Sequence, residues 1–190
     1  MPFAHAYRIL KVIHRKERAP MIYLIAGGTH TGKTHLAQQL LEKYHFPYLS
    51  IDHLKMGLIR SGQTSLTPAD DAKLTAYLWP IVREIVKTAI ENRQNLIVEG
   101  CYIPFTWQED FSPEYLRDIR FFCLILSEGY IRAHFDAIRD YANTIEQRAD
   151  DSALSPTDLI QENAETLAAC QKYGLDHLLV TDAYPTECPL

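Results

Sequence analysis

Residues 26–35 read Ala26-Gly-Gly-Thr-His-Thr-Gly-Lys-Thr-His35, and the reading of this stretch decides the fold. Gly27, Gly32, Lys33 and Thr34 complete the pattern G-x-x-x-x-G-K-[ST]. Before it, residues 21–26 (MIYLIA) form an apolar run of strand length. After it, Leu36, Leu40 and Leu41 recur at helical spacing as far as Tyr44. A strand that enters a glycine loop and leaves it as a helix makes a cradle for phosphate. The glycines let backbone N–H groups turn inward, and the helix N-terminus adds its dipole. On this reading Gly27, Gly28, Thr29, His30, Thr31 and Gly32 wrap the β-phosphate of a nucleotide. Lys33 reaches the β- and γ-phosphates, and the Thr34 hydroxyl ligates Mg2+. His30 is expected to point to solvent.

The same alternation continues along the chain. Phe46 to Ile51 reads as a second strand ended by Asp52, followed by a short helix with Leu54, Leu58 and Ile59 as far as Ser61-Gly62. Thr67-Pro68 places a capping hydroxyl before a proline and predicts a helix from there to about Arg93, bent near Trp79-Pro80. Asn95 to Glu99 is a third strand stopped by Gly100, then come a loop rich in aromatics (Tyr102, Phe105, Trp107, Phe111) and a short helix at Ser112-Pro113. Ile119 to Leu126 is a fourth, nearly all apolar strand. Ser127 caps a helix through Tyr130, Phe135 and Ile138, and residues 141–155 are polar and weakly periodic. Ser155-Pro-Thr-Asp158 opens a last helix closed by Gly174, and His177 to Thr181 is a fifth strand. Strands apolar on both faces, alternating with helices, predict one α/β domain with a parallel sheet covered on both sides.

Composition sets the class. Apolar residues make up 47% and charged ones 23%, as in an ordinary soluble domain, and the net charge of −5 argues against a broad nucleic-acid surface. Basic residues gather in residues 1–20, where Arg8, Lys11, Arg15, Lys16 and Arg18 face only Glu17. This stretch reads as an N-terminal extension, solvated or in contact with an acidic partner. Met21, where the first strand begins, is a candidate start. Four scattered cysteines without metal-ligand spacing imply a reducing compartment. With no apolar run of membrane length and no signal-like N-terminus, a cytoplasmic location without a membrane partner is expected.

A phosphate cradle does not name a reaction. Neither the D-x-x-G switch nor the N-K-x-D base-reading motif of GTPases is present, and the chain is short for an AAA+ module. With its loop and order of elements over residues 21–183, the chain resembles the small P-loop kinases. That group includes nucleotide, shikimate and gluconate kinases, chloramphenicol phosphotransferase and the zeta toxins. The phosphate loop is the specific part of the likeness; the other matches are positional. The resemblance implies a three-layer P-loop NTPase fold with a five-stranded parallel sheet in the order 2-3-1-4-5. It further implies a substrate-binding insertion over about 53–93, a lid over about 139–155, ATP and Mg2+ as cofactors, and a small-molecule acceptor.

It also implies roles for single residues. Asp52 stands where members that phosphorylate hydroxyls carry a carboxylate that orients or deprotonates the acceptor, since an alcohol must lose its proton as it attacks. Asp52 also reads as the N-cap of the helix that follows. Glu99 ends the strand beside the first, placed to hold Mg2+ through water or to touch the substrate. Adenylate kinases have Asp-Gly-x-Pro-Arg there. This chain has Glu99-Gly-Cys-Tyr-Ile-Pro104 with no arginine after the proline, which speaks against AMP as acceptor. Lys55 and Arg60 either meet an anionic substrate or form a solvated face. Arg132, Arg139 and Arg148 flank the lid, where arginines of this group stabilise the transferring phosphoryl charge; surface ion pairs are the alternative for each. Tyr184 lies where the group often packs the adenine.

Together these residues predict an ATP-dependent phosphotransferase acting on a small-molecule hydroxyl, with Lys33, Asp52, Arg139 and Arg148 as the catalytic set. Two alternatives remain. One is a nucleoside or nucleotide kinase that stacks its acceptor in the 102–111 aromatic loop. The other is an ATP-binding switch of negligible turnover. Acceptor identity and oligomeric state stay open.

Overall fold

The computed structural model describes residues 21–145 and 154–184. Five parallel strands form the sheet: β1 (Ile22–Gly27), β2 (Tyr48–Ser50), β3 (Leu96–Glu99), β4 (Ile119–Leu126) and β5 (His177–Val180). Their order is β2-β3-β1-β4-β5, the predicted one. Among the described residues six helices connect and cover them: α1 (Lys33–Tyr44), α2 (Ile51–Arg60), α3 (Asp71–Glu91), α4 (Pro113–Leu116), α5 (Glu128–Ile145) and α6 (Pro156–Tyr173). A 3-10 turn, Trp107–Asp110, precedes α4.

The period-two geometry of β1 and β4 divides the apolar residues between two cores. Ile22, Leu24 and Ala26 join Ile119, Phe121, Cys123 and Ile125 on the face covered by Leu74, Leu78, Val82 and Val86 of α3. Ile25, Ile97, Phe122 and Leu124 face Leu36, Ala37 and Leu40 of α1 on the other side. This explains why β1 and β4 read as continuous apolar runs. Each fully buried leucine here stands to cost about 2–5 kcal/mol if cut to alanine. Among the described residues, no helix is long and apolar enough to cross a membrane.

Two local expectations are corrected. Thr67-Pro68 does not open α3. Instead Asp70 is the N-cap, and its Oδ2 accepts from the Thr67 amide at 3.0 Å and hydroxyl at 2.8 Å, folding residues 67–70 into a turn before the helix. Helix α3 continues through Pro80 from Asp71 to Glu91, and a non-helical residue, His134, lies inside α5. Ile51 belongs to α2 rather than to the second strand, so β2 is short, as an edge strand often is.

Order reverses at β1, with β3 on one side and β4 on the other, and loops leaving such a point open a crevice at the carboxyl ends of the strands. The loop after β1, the end of β3 and the turn from β2 into α2 all emerge there.

Candidate active site

The loop after β1 is tightly built. Gly27 has φ +145°, and a Cβ there would lie 2.5 Å from the Leu124 carbonyl oxygen. Gly32, at φ +84°, is the N-cap of α1 and offers no side chain to the helix, so the first amides of α1 are open to an anion. The Gly28 carbonyl accepts from the Thr31 hydroxyl at 2.9 Å and from the Lys33 ammonium at 2.6 Å. His30 takes the left-handed conformation, and its ring bonds the Thr29 hydroxyl at 2.9 Å. Thr34 is the second residue of α1 and half-buried.

Lys33 is buried, 5% exposed. Burial works against its charge, but the Glu99 and Asp52 carboxylates, with a hydrogen bond to the Cys101 sulfur, more than offset it and hold the ammonium above the ordinary lysine value. Glu99 is 1% exposed at the end of β3, in register with Ser50 on one side and Ile25 on the other. The structure therefore brings the predicted Lys33, Asp52 and Glu99 into one electrostatic neighbourhood.

Asp52 is not the N-cap of α2; that position is Ser50. In the first turn, Asp52 accepts a hydrogen bond from Lys55. Lys55 also donates to the Tyr102 hydroxyl at 3.0 Å, and Tyr102 donates to Asp71 Oδ1 at 2.8 Å. Lys55 is thus drawn into the site rather than onto a solvated face. Arg60, exposed in the last turn of α2, has no hydrogen bond or ion pair with this network among the described residues.

Three residues at the site were missed by sequence reasoning, and a fourth, Tyr102, was read only as part of the aromatic loop. Cys101 follows Glu99-Gly100, and its thiol is turned toward Lys33. Although the residue as a whole is exposed, desolvation at the sulfur, then the charges of Asp52 and Glu162, push that thiol above its usual range despite the opposing pull of Lys33. Tyr102 and Asp71 complete the Lys55 contacts. Glu162, on α6, accepts the Thr29 amide at 2.9 Å and stands against Gly28. For Cys101 and Tyr102 adjacency to Glu99 was an available signal; for Asp71 and Glu162 there was none.

The arginines are less engaged. Arg132 pairs with Glu128 at 2.8 Å, and Arg139 with Asp136 at 3.3 Å and Asp140 at 3.8 Å, all on the exposed side of α5. Arg148 and the basic stretch 1–20 lie outside the described residues. Tyr184 sends its hydroxyl to the carbonyls of Gly32 (2.9 Å) and Thr31 (3.2 Å), against the loop itself. The aromatic loop is spent on the core: Trp107 and Phe111 are buried, and Trp107 stacks on Phe121 at 5.6 Å.

A family model described as Zeta toxin matches residues 5–113, more than half of the chain. The chain belongs to the Zeta toxin family. The Zeta toxin match contains the loop, Asp52, Lys55, Glu99 and Tyr102, begins ahead of β1, and ends before α5. No curated protein matches the sequence. Solved structures share the fold. A shikimate kinase from Bacteroides thetaiotaomicron is 13% identical, with 84% of each chain covered and a TM-score of 0.51. A shikimate kinase from Acinetobacter baumannii in complex with shikimate is 16% identical, with 89% of this chain and 87% of that one covered and a TM-score of 0.50. The Pnkp1/Rnl/Hen1 RNA repair complex is 14% identical, with 84% of this chain and 48% of that one covered and a TM-score of 0.54. At such identities these neighbours establish the P-loop kinase fold and nothing finer.

Proposed function

We propose that this Zeta toxin family member is a phosphotransferase that moves the γ-phosphoryl group of ATP to a hydroxyl of a small-molecule acceptor. The observation that carries the reading is the approach of Asp52 and Glu99 to the buried Lys33 at the mouth of the phosphate loop. A site for holding ATP alone needs the lysine and the loop. A carboxylate beside them, on α2, is what an attacking alcohol requires.

In this mechanism the open amides of α1 and the Lys33 ammonium hold the phosphates, with Gly27 to Gly32 shaping the cradle. Asp52 orients the acceptor hydroxyl and takes its proton late, once the oxygen has become acidic. The donor set fits a Mg2+ ion carried mainly by phosphates and water. Among the described residues, no group of three or more His, Cys, Asp and Glu side chains is placed to hold a metal. Thr34 would ligate the ion. Glu99 and Ser50 would hold its waters: the buried Ser50 Oγ has no hydrogen-bond partner among the described residues, and a water satisfies such an oxygen. Mg2+ would supply charge neutralisation between the phosphates. Arg139 and Arg148, in the proposed lid over about 139–155, would meet the charge spreading over the phosphoryl group, Arg139 by leaving its surface pairs. The stretch 53–93 would supply the acceptor pocket, with Lys55 inside it and Arg60 at its edge.

The test is ADP release from MgATP across nucleosides, nucleotides, sugar acids, phosphoglycerates and aminoglycoside- or phenicol-type alcohols. One class should stimulate turnover, and Asp52→Asn should lower that turnover by about 10²–10⁴ while MgATP affinity is kept. If no class stimulates and Asp52→Asn binds and turns over MgATP like the parent, the kinase reading fails and the ATP-binding switch replaces it.

A further inference from the structure

Lys55, the partner of Asp52, is itself held from a second direction. Its ammonium donates to the Tyr102 hydroxyl at 3.0 Å and lies 4.9 Å from the centre of the Tyr102 ring. Tyr102 is 5% exposed, and its hydroxyl is 2.8 Å from Asp71 Oδ1. Elementary donor chemistry fixes the direction of this chain. An ammonium has no lone pair to offer, so the phenol oxygen must accept from Lys55, and the single phenol proton is free to go only to Asp71. Burial first, and the bond to Asp71 next, push the phenol well above its ordinary range, so it stays a donor.

We infer that Tyr102 and Asp71 are positioning residues which, through Lys55, hold the Asp52 carboxylate in the orientation phosphoryl transfer needs. The inference rests on the kinase reading and extends it to two residues outside α2. The relay joins three segments that are separate in sequence: the first turns of α2, the first residue of α3, and the loop after β3. The four-carbon stem of a lysine is flexible, and one carboxylate alone does not fix it. With the ring beneath it and the hydroxyl ahead of it, the Lys55 side chain is only 13% exposed and has a defined place from which to orient Asp52. Removing the phenol oxygen, or its acceptor at Asp71, leaves Asp52 paired with a lysine free to wander, and the carboxylate then samples geometries that do not meet the acceptor.

The same contacts could merely pin the start of α3, and the experiment separates the two roles. Hydrolysis of MgATP, with water as the probe nucleophile, is followed in Tyr102→Phe, Asp71→Ala, Asp71→Asn and the double variant Tyr102→Phe/Asp71→Ala, each corrected for folded fraction by thermal melting. Tyr102→Phe keeps the ring under Lys55 and deletes only the oxygen. It should lower kcat by about three- to tenfold, the range of one hydrogen bond, with KM for ATP unchanged. Asp71→Ala should match it, Asp71→Asn should keep more than half the parental rate because the amide oxygen still accepts, and the double variant should be no slower than either single one. Parental kcat in Tyr102→Phe, or strictly additive losses in the double variant, overturns the relay. If Asp52→Asn collapses while Tyr102→Phe does not, only the relay is lost. If Asp52→Asn turns over like the parent, or the parent turns over neither with water nor with any acceptor class of the panel, the kinase reading falls and the relay falls with it.

Discussion

On the proposed phosphate side of the site the groups are the backbone amides and carbonyls from Gly27 to Thr34, eight consecutive residues, together with the Lys33 ammonium and the Thr34 hydroxyl. On the proposed acceptor side they are side chains of Asp52, Lys55, Asp71 and Tyr102, brought together from three segments. The first side is fixed by covalent geometry, so its tolerance is all or nothing at a few positions. The second is fixed by pairwise hydrogen bonds, each worth about 1 kcal/mol, so its losses should be graded.

The largest expected effect follows from that difference. Gly27→Ala puts a Cβ 2.5 Å from the Leu124 carbonyl oxygen, a backbone atom of the central sheet, at a φ of +145° that L side chains rarely adopt. Nothing nearby is flexible enough to give. We expect a loss of roughly 2–4 kcal/mol in chemical denaturation together with loss of MgATP binding by calorimetry. Near-parental binding in Gly27→Ala would mean the loop is softer than its contacts imply.

Gly28 should behave differently although it is the next residue. A Cβ there meets the Glu162 carboxylate at 2.8–3.1 Å, the far end of a side chain on α6. Glu162 can swing away, at the cost of its bond to the Thr29 amide. Gly28→Ala should therefore cost about 1 kcal/mol, and less when Glu162→Ala is already present. A double-mutant cycle on denaturation midpoints reads this directly; strict additivity would show that Glu162 does not press on the loop.

The contrast also explains what could be read from the sequence. The phosphate loop was legible because its chemistry is written in consecutive residues, and β1, β4, α1 and the Ser155 and Gly174 caps were legible because each rests on local pattern. The placement of Asp52 and Glu99 near the loop was legible by position in the fold. Tyr102 bonding to Asp71 spans 31 residues, and Thr29 to Glu162 spans 133, with no spacing rule that links them. The aromatic loop was undecided for a related reason: composition does not tell whether Trp107 and Phe111 face an acceptor or the core, and packing against Phe121 and Trp79 decided for the core. Thr67-Pro68 misled because it is a good cap in isolation, while Asp70 offers the turn more bonds.

That competition gives the smallest effect, and it probes how firmly the acceptor side is anchored. Asp70 begins α3 immediately before Asp71, and its carboxyl is held down to about 2, first by the Thr67 amide, then by Lys73 and the Thr67 hydroxyl. A carboxyl lowered on folding stabilises the folded state at any pH above its unfolded value, near 4, and that contribution disappears as pH falls through about 2. Asp70→Asn should accordingly melt slightly below the parent at neutral pH, and the two curves should converge as pH drops from about 4 toward 2. Because the partner Lys73 is largely exposed, the gap at neutral pH should be small and should shrink further in high salt. If the two proteins instead stay apart at low pH, the start of α3 is set by something other than this carboxylate. Asp71 would then be held in place for Tyr102 by the apolar face of the helix alone, through Leu74 and Leu78.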